Sequence, residues 1–141
     1  MYDAILVPVD PAESDFADRA LEKIVKFVKQ YGAVLRLVSV ISPIQGFVTE
    51  ALDADYDARI AADAREELER ISAKTGLSEE QVSVSVCSGA IYHEVLEEAA
   101  VYNADLIILA SHSPSFASYL LDSNAAKIVR HPECSVLVVR D

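Results

Sequence analysis

The sequence predicts an α/β protein with one doubly wound, five-stranded parallel sheet and helices on both faces. Five short runs rich in Val, Ile and Leu alternate with helical patterns along the chain. These runs occupy residues 4–9, 34–41, 82–86, 105–109 and 135–139. Strict alternation of strand and helix is typical of right-handed βαβ units, which build parallel sheets.

The composition of the runs predicts the order of the strands. The first and fourth, AILVPV and DLIIL, are apolar at successive positions, as in strands buried on both faces. The third, VSVSV, alternates apolar and polar residues, which favours a half-covered edge strand. We therefore expect the order 3-2-1-4-5, with the first and fourth strands at the centre.

Helical periodicity fills the intervals between the strands. Gly32 and Gly76 are expected to end the first two helices, and Pro132 to close the last. Residues 42–53 form the longest irregular stretch, which we expect to be a flexible loop. The expected apolar stripes are Phe16, Ala20, Ile24, Phe27, Val28 and Tyr31; then Tyr56, Ile60, Ala64, Leu68 and Ile71; then Ile91, Val95, Ala99 and Tyr102; and finally Ala125, Ile128 and Val129.

Length and charge narrow the function classes. A chain of 141 residues fits a single domain over 1–141. With 12 Lys and Arg against 23 Asp and Glu, the formal charge of −11 argues against nucleic acid as a partner. No apolar run approaches the ~20 residues that cross a bilayer, and the N-terminus lacks a signal-peptide pattern. We expect a cytoplasmic protein without membrane insertion.

The sequence carries no recognised catalytic motif. GxxxxGK[ST], GxSxG and HExxH are all missing, which predicts a protein that is not a dedicated enzyme. Cys87 and Cys134 form no CxxC pair, so we expect small core residues rather than metal ligands or a disulfide. No metal site is predicted from these residues.

The last strand predicts an oligomer. In the expected order it forms a sheet edge, yet residues 135–139 contain no lysine, proline or inward charge to discourage pairing. Pairing with the same strand of a second chain would give a two-fold homodimer. Cover by the terminal residues or by a helix is the alternative.

The predicted order also locates a ligand crevice. The chain reverses direction across the sheet between strands 1 and 4, and ligands bind at such switch points, beyond the carboxyl ends of the strands. The segments that open there are VDPAES at 9–14 and ASHSPS at 110–115.

At this point the chain resembles the universal stress protein family along nearly its whole length. The segments that carry the resemblance are ILVPVD, LVSVI, CSGA, LIILASHS, YLLDSNAAKIVRH and PECSVLVV, in that order. The resemblance is nearest to a branch with an ASHxP…YLLxSNAA loop. It implies a Rossmann-like fold of the adenine nucleotide alpha hydrolase-like type, in a cytoplasmic homodimer joined through the last strand.

Many members of that family bind ATP through a loop of pattern G-x2-G-x9-G-[ST]. Ala110, Ser113 and Asp122 stand at the three glycine positions here, and Ser123 at the hydroxyl position, with one residue fewer between. Alanine and serine are small enough to let backbone approach a phosphate. Asp122 instead places negative charge at the start of the last helix, where it competes with phosphate for the backbone amides.

The resemblance implies a site for ATP, or for AMP or ADP, with Mg²⁺ as a candidate companion. The implied residues are Pro8, Val9, Asp10 and Val40 on the adenosine side, and Ala110, Ser111, His112, Ser113, Asp122, Ser123 and Asn124 on the phosphate side. Two alternatives stay open from the residues themselves. Asp10 before Pro11 is also a good helix N-cap, and Val40 is also a good core residue.

Two functions therefore compete. The first is a stress-response regulatory dimer that binds an adenine nucleotide. The second is a stress protein that binds no nucleotide and acts through protein contacts alone.

Overall fold

Five strands and three helices make up the part of the chain that the computed structural model describes, residues 1–10, 18–41, 50–111 and 134–140. The strands are β1 (Ala4–Pro8), β2 (Val34–Ile41), β3 (Val82–Ser88), β4 (Leu106–Ser111) and β5 (Ser135–Arg140). The helices are α1 (Asp18–Tyr31), α2 (Glu50–Lys74) and α3 (Ile91–Tyr102). The predicted fourth helix, with Ala125, Ile128 and Val129, falls outside the described residues, as does Phe16.

The strands form one parallel sheet in the order β3-β2-β1-β4-β5. This confirms the predicted fold class and strand order. β1 pairs with β2 from Ala4 opposite Val34, and with β4 from Ile5 opposite Leu106. The strand that is first in the chain therefore lies at the centre of the sheet.

Side chains from the sheet bury into two separate cores. Ile5, Val7 and Ile108 point to the core that α1 and α2 cover, whereas Leu6 and Ile107 point to the core on the side of α3. All five are fully buried. Each such side chain stabilises the fold by roughly 1.5–3 kcal/mol relative to exposure to water, which explains why the central strands are apolar at successive positions.

The helix stripes pack largely as the periodicity predicts. The buried members are Ala20, Ile24 and Val28 in α1, Ala64, Leu68 and Ile71 in α2, and Val95 and Ala99 in α3. Gly32 and Gly76 follow α1 and α2 with φ of 61° and 71°, a left-handed conformation that suits glycine at a helix end. At the end of α3 this place is taken by Asn103 with φ of 57°.

Two expectations for the second helix are wrong. Of the expected loop at 42–53, residues 50–53 belong to α2 and the rest lies outside the described residues. Tyr56 is 46% exposed rather than part of the buried stripe. The helix has 25 residues and spans about 37 Å, whereas the eight residues of β2 span only about 26 Å. The first turns of α2 thus continue the periodicity with little sheet to pack on, and residues 55–59 are all exposed.

A polar network anchors the β3 edge of the sheet to α3. Arg36 of β2 donates from Nη1 to Glu98 Oε1 at 2.8 Å and from Nε to Ser83 Oγ at 3.1 Å. Its guanidinium also lies 4.3 Å from the ring centroid of Tyr102. Only 12% of the Glu98 side chain is exposed, so the ion pair is largely withdrawn from water. One arginine thereby links β2, β3 and α3.

We expect Arg36→Ala to lower the free energy of unfolding by about 2 kcal/mol, because it leaves the largely buried Glu98 carboxylate without its cation. Arg70→Ala is the matched control, since Arg70 pairs with Glu67 on the outer face of α2, where both side chains are more exposed. That change should cost less than about 1 kcal/mol. Urea denaturation measures both; equal losses would show that the Arg36 network adds nothing beyond a surface pair.

Candidate functional site

The strand order creates a topological switch point between β1 and β4. From β1 the chain moves through β2 to β3 on one side, and β4 and β5 then fill the other side. The helices follow the same division, with α1 and α2 on one face and α3 on the other. In open α/β sheets the crevice beyond the carboxyl ends of such diverging strands binds ligands. Here those ends are Pro8 of β1 and Ser111 of β4.

Two hydrogen bonds hold the chain as it leaves β1. The Val9 amide donates to the Val38 carbonyl at 2.7 Å, so pairing with β2 continues one residue past Pro8. The hydroxyl of Ser39 donates to the Val9 carbonyl at 2.8 Å. Both backbone polar groups of Val9 are thus engaged by β2, and the direction in which the chain enters Asp10 is set by the neighbouring strand.

Ser39 is the positioning residue that sequence reasoning missed. It is 1% exposed and sits as a single polar residue inside the apolar run LVSVI. A buried hydroxyl needs a hydrogen-bond partner, so the sequence indicates that Ser39 makes a specific hydrogen bond. The sequence does not reveal the partner, because Val9 lies thirty residues away along the chain.

Asp10 places a buried carboxylate at the mouth of the crevice. It is 6% exposed and has an interaction partner, as a charged group withdrawn from water requires. The predicted N-cap role depends on residues 11–17, which lie outside the described residues. Contact with a ligand and helix capping both stay predictions for this residue.

Val40 is a core residue in this conformation. Only 1% of its surface is exposed, and it packs with Val38, Val95 and Ile107 in the core on the side of α3. The alternative kept open from the sequence, a core role, therefore describes its place in the fold. Its contact with adenine stays a prediction, and the side chain as placed offers almost no surface for it.

The phosphate side of the predicted site is described only where it begins. Ala110 and Ser111 are the last residues of β4, in register with Val139 and Arg140, rather than the first residues of a loop. The strand runs two residues further than its apolar run because β5 supplies partners up to that point. The other residues implied on this side, His112, Ser113, Asp122, Ser123 and Asn124, lie outside the described residues.

A glycine brings α3 close to the same edge of the sheet. Gly89 follows β3 with φ of 146°, and its amide donates to the Ile41 carbonyl at 3.0 Å. A Cβ at this position would stand 2.7 Å from Glu94 Oε1, closer than real contacts allow. The Glu94 side chain could move aside, so it is the positive φ that favours glycine where the chain turns from β3 into α3 beside the end of β2.

The two cysteines are protected thiols. Burial raises the pKa of Cys87 and of Cys134, and the Glu98 carboxylate, 3.6 Å from Cys87 Sγ, raises the pKa of that thiol further. Both residues pack against the core on the side of α3 and form no disulfide. Because the thiolate is the reactive and metal-binding form, neither environment favours a nucleophile or a ligand.

Within the described ranges, no cluster of three or more His, Cys, Asp or Glu side chains could hold a metal ion. None of the helices α1 to α3 combines the length and the apolar character that a membrane span needs. Among the described residues, the candidate site consists of the backbone at Val9 and the side chains of Ser39 and Asp10.

We expect Ser39→Ala to lower the free energy of unfolding by about 1–2 kcal/mol, because it leaves the Val9 carbonyl without its buried donor. Ser85→Ala serves as control, since the nearest polar contact of the Ser85 hydroxyl is Cys87 Sγ at 3.9 Å. The control should cost less than about 0.5 kcal/mol. Chemical denaturation compares the two, and a loss at Ser39 no larger than at Ser85 would contradict its positioning role.

The doubly wound parallel sheet places the chain in the class of open α/β domains, in which ligand sites lie beyond the carboxyl ends of the strands. Within that class, the model of the universal stress protein family matches residues 1–140. The chain belongs to the universal stress protein family, as its resemblance to that family implies.

Relatives and solved structures agree with this assignment. The chain is 30% identical to universal stress protein G of Shigella flexneri, over 99% of this chain and 100% of that protein. It shares its fold with a universal stress protein in complex with cAMP, at 23% identity and a TM-score of 0.64, covering 99% and 97% of the two chains. A universal stress protein of Archaeoglobus fulgidus in complex with dAMP matches at 19% identity and a TM-score of 0.61, covering 97% of each chain.

Proposed function

We propose that this universal stress protein binds an adenine nucleotide in the crevice beyond the carboxyl ends of β1 and β4, and acts as a stress-response regulatory protein in the cytoplasm. The observation that carries the proposal is the Val9–Asp10 junction. There the amide and carbonyl of Val9 are held by Val38 and Ser39, and a buried carboxylate follows at the switch point.

The chemistry of this junction suits the nucleoside part of the ligand. A carboxylate beside a sheet edge accepts hydrogen bonds from ribose hydroxyls, the role that acidic residues take in related dinucleotide sites. Two proteins of the same fold are described as complexes with cAMP and with dAMP, both adenine nucleotides with a single phosphate. These complexes support an adenine nucleotide as ligand class.

Charge favours ligands with few phosphates. The net charge of −11 and the side chain of Asp122 both oppose a triphosphate. A monophosphate would meet less repulsion, whereas ATP would need Mg²⁺ to offset its charge. We also propose binding rather than catalysis as the activity, because the sequence contains none of the recognised nucleophile or phosphate-loop motifs.

The test is calorimetric titration of the full chain with AMP and with ATP, each with and without Mg²⁺. We expect Asp122→Gly to tighten ATP binding without metal by about tenfold, since one carboxylate at surface-like dielectric repels a phosphate by roughly 1 kcal/mol or more. Asp122→Asn separates the charge from the backbone effect of glycine. Asp57→Asn removes an exposed charge on α2 and controls for net charge.

The competing function predicts a different pattern. A wild-type protein that binds neither nucleotide at millimolar concentration, and that carries no nucleotide in mass spectra of native preparations, would be a stress protein acting through protein contacts alone. Equal affinity of wild type and Asp122→Gly for metal-free ATP would contradict the role given to Asp122, while leaving nucleotide binding itself intact.

We further propose that the protein is a homodimer joined through residues 135–139. β5 is the outermost strand of the described sheet on the side of β4, and Val138 is 38% exposed on it. An apolar, uncharged edge of this kind readily pairs with a second copy.

We expect Val138→Asp to convert a dimer into a monomer, because it places charge in the proposed interface. Val101→Asp is the control, since Val101 is 73% exposed and belongs to α3 rather than to the sheet edge. Sedimentation equilibrium measures both masses. A monomeric wild type, or a dimer that survives Val138→Asp unchanged, would argue against this interface.

A further inference from the structure

A basic groove lies between α1 and the end of α2, remote from the nucleotide crevice. It has a volume of about 660 Å³ and is lined by Leu21, Glu22, Val25, Lys26 and Lys29 of α1, together with Lys74 and Thr75. The chain has five lysines, at positions 23, 26, 29, 74 and 127, and three of them line this one groove. In a chain of net charge −11, such a concentration of cations marks a distinct surface.

The position of the groove separates it from the proposed nucleotide site. Lys29 and Lys74 lie in the last turns of α1 and α2. These turns lead into β2 and β3, so they lie at the amino edge of the sheet, opposite the carboxyl edge that holds Asp10. A ligand in the groove and a ligand in the crevice would therefore occupy separate sites.

The lining of the groove points to an anionic partner with an apolar element. The Lys26 and Lys29 side chains are exposed, and the described part of the chain provides no ion pair for either. Val25 is half-buried and offers apolar surface in the groove, whereas Leu21 is buried. The Thr75 hydroxyl is already used, donating to the Ser72 carbonyl at 2.6 Å and accepting from the Leu77 amide at 3.1 Å. Lys26 and Lys29 are therefore the groups that would recognise negative charge, and with three lysines against the exposed Glu22 the lining stays net positive.

These features fit an acidic peptide better than a small anion. Phosphate sites use converging backbone amides at helix N-termini, whereas this groove lies beside helix C-termini, whose dipoles repel concentrated negative charge. Lysine ammonium groups on flexible stems instead suit carboxylates that are spread along a chain. The volume is in the range of ligand-binding clefts and far larger than a single phosphate needs.

We propose that the groove lined by Lys26, Lys29 and Lys74 docks an acidic peptide segment of a partner protein, with carboxylates at Lys26 and Lys29 and an apolar side chain over Val25. The positions of Lys29 and Lys74 can each be explained by stabilisation of a helix C-terminus. That explanation does not cover Lys26, which lies one turn earlier in α1. The proposal does not depend on nucleotide binding, because it concerns the opposite edge of the sheet.

The test is fluorescence anisotropy of the full chain with a short, labelled, glutamate-rich peptide that carries one central leucine. Peptides with glutamine or lysine in place of glutamate are the ligand controls. We expect Lys26→Ala/Lys29→Ala to weaken binding of the acidic peptide by about tenfold. Arg59→Ala/Arg65→Ala removes the same charge from exposed positions of α2 outside the groove, and should change binding by less than about twofold.

Three results would overturn the proposal. Equal weakening by the two double variants would show attraction by net charge alone. Binding of tripolyphosphate with displacement of the peptide would identify a small-anion site. Self-association that is lost only in the lysine variant, without peptide binding, would make a second copy of this chain the occupant. AMP titration of the same variants should give unchanged affinity, so this proposal and the nucleotide proposal fail separately.

Discussion

Burial of the β1–β4 pair on both faces is the constraint on which the rest of the structure depends. Ile5, Leu6 and Val7 of β1 and Ile107 and Ile108 of β4 are fully buried, so neither strand can shift by one residue without turning every side chain to the wrong core. The Asp105 carboxylate reinforces this register, because it accepts the amides of Asp3 and Ala4 at 2.9 and 3.1 Å. The relative height of the two carboxyl ends follows from that register.

Strand pairing in the sheet therefore determines the geometry of the crevice. Val9 continues the β1–β2 ladder through Val38, and Ser39 fixes its carbonyl, so the position of Asp10 depends on strand pairing rather than on loop conformation. The contact of Gly89 with Ile41 extends the same principle to the entry of α3. A crevice supported in this way depends more on residues within strands, such as Ser39, than on the residues of the loops that follow them.

The fold was predictable from sequence because strand composition reports directly which faces are covered. Successive apolar residues in β1 and β4 and the alternation in β3 were sufficient to derive the strand order. The errors have two causes. A helical stripe can continue past the sheet against which it packs, and a strand can be lengthened by pairing with a strand that is distant in sequence. Tyr56 continues a helical stripe beyond the sheet, and Ala110 and Ser111 are strand residues only because β5 pairs with them. Ser39 carries a visible signal, but its partner Val9 is a matter of tertiary structure.

Charged side chains at the two edges of the sheet offset the partial charges of the helix ends, and this affects which ligands each edge can bind. The carboxyl edge collects helix N-termini, which attract anions, yet Asp10 and Glu94 add negative charge there. The amino edge collects helix C-termini, where Lys29 and Lys74 add positive charge. These charges favour the proposed mode of binding, in which a nucleotide is held mainly through its nucleoside, because each added phosphate would be repelled by the carboxylates of Asp10 and Glu94. At the amino edge the sign is reversed, because Lys29 and Lys74 add positive charge at the helix ends, and this favours the proposed docking of an acidic segment there.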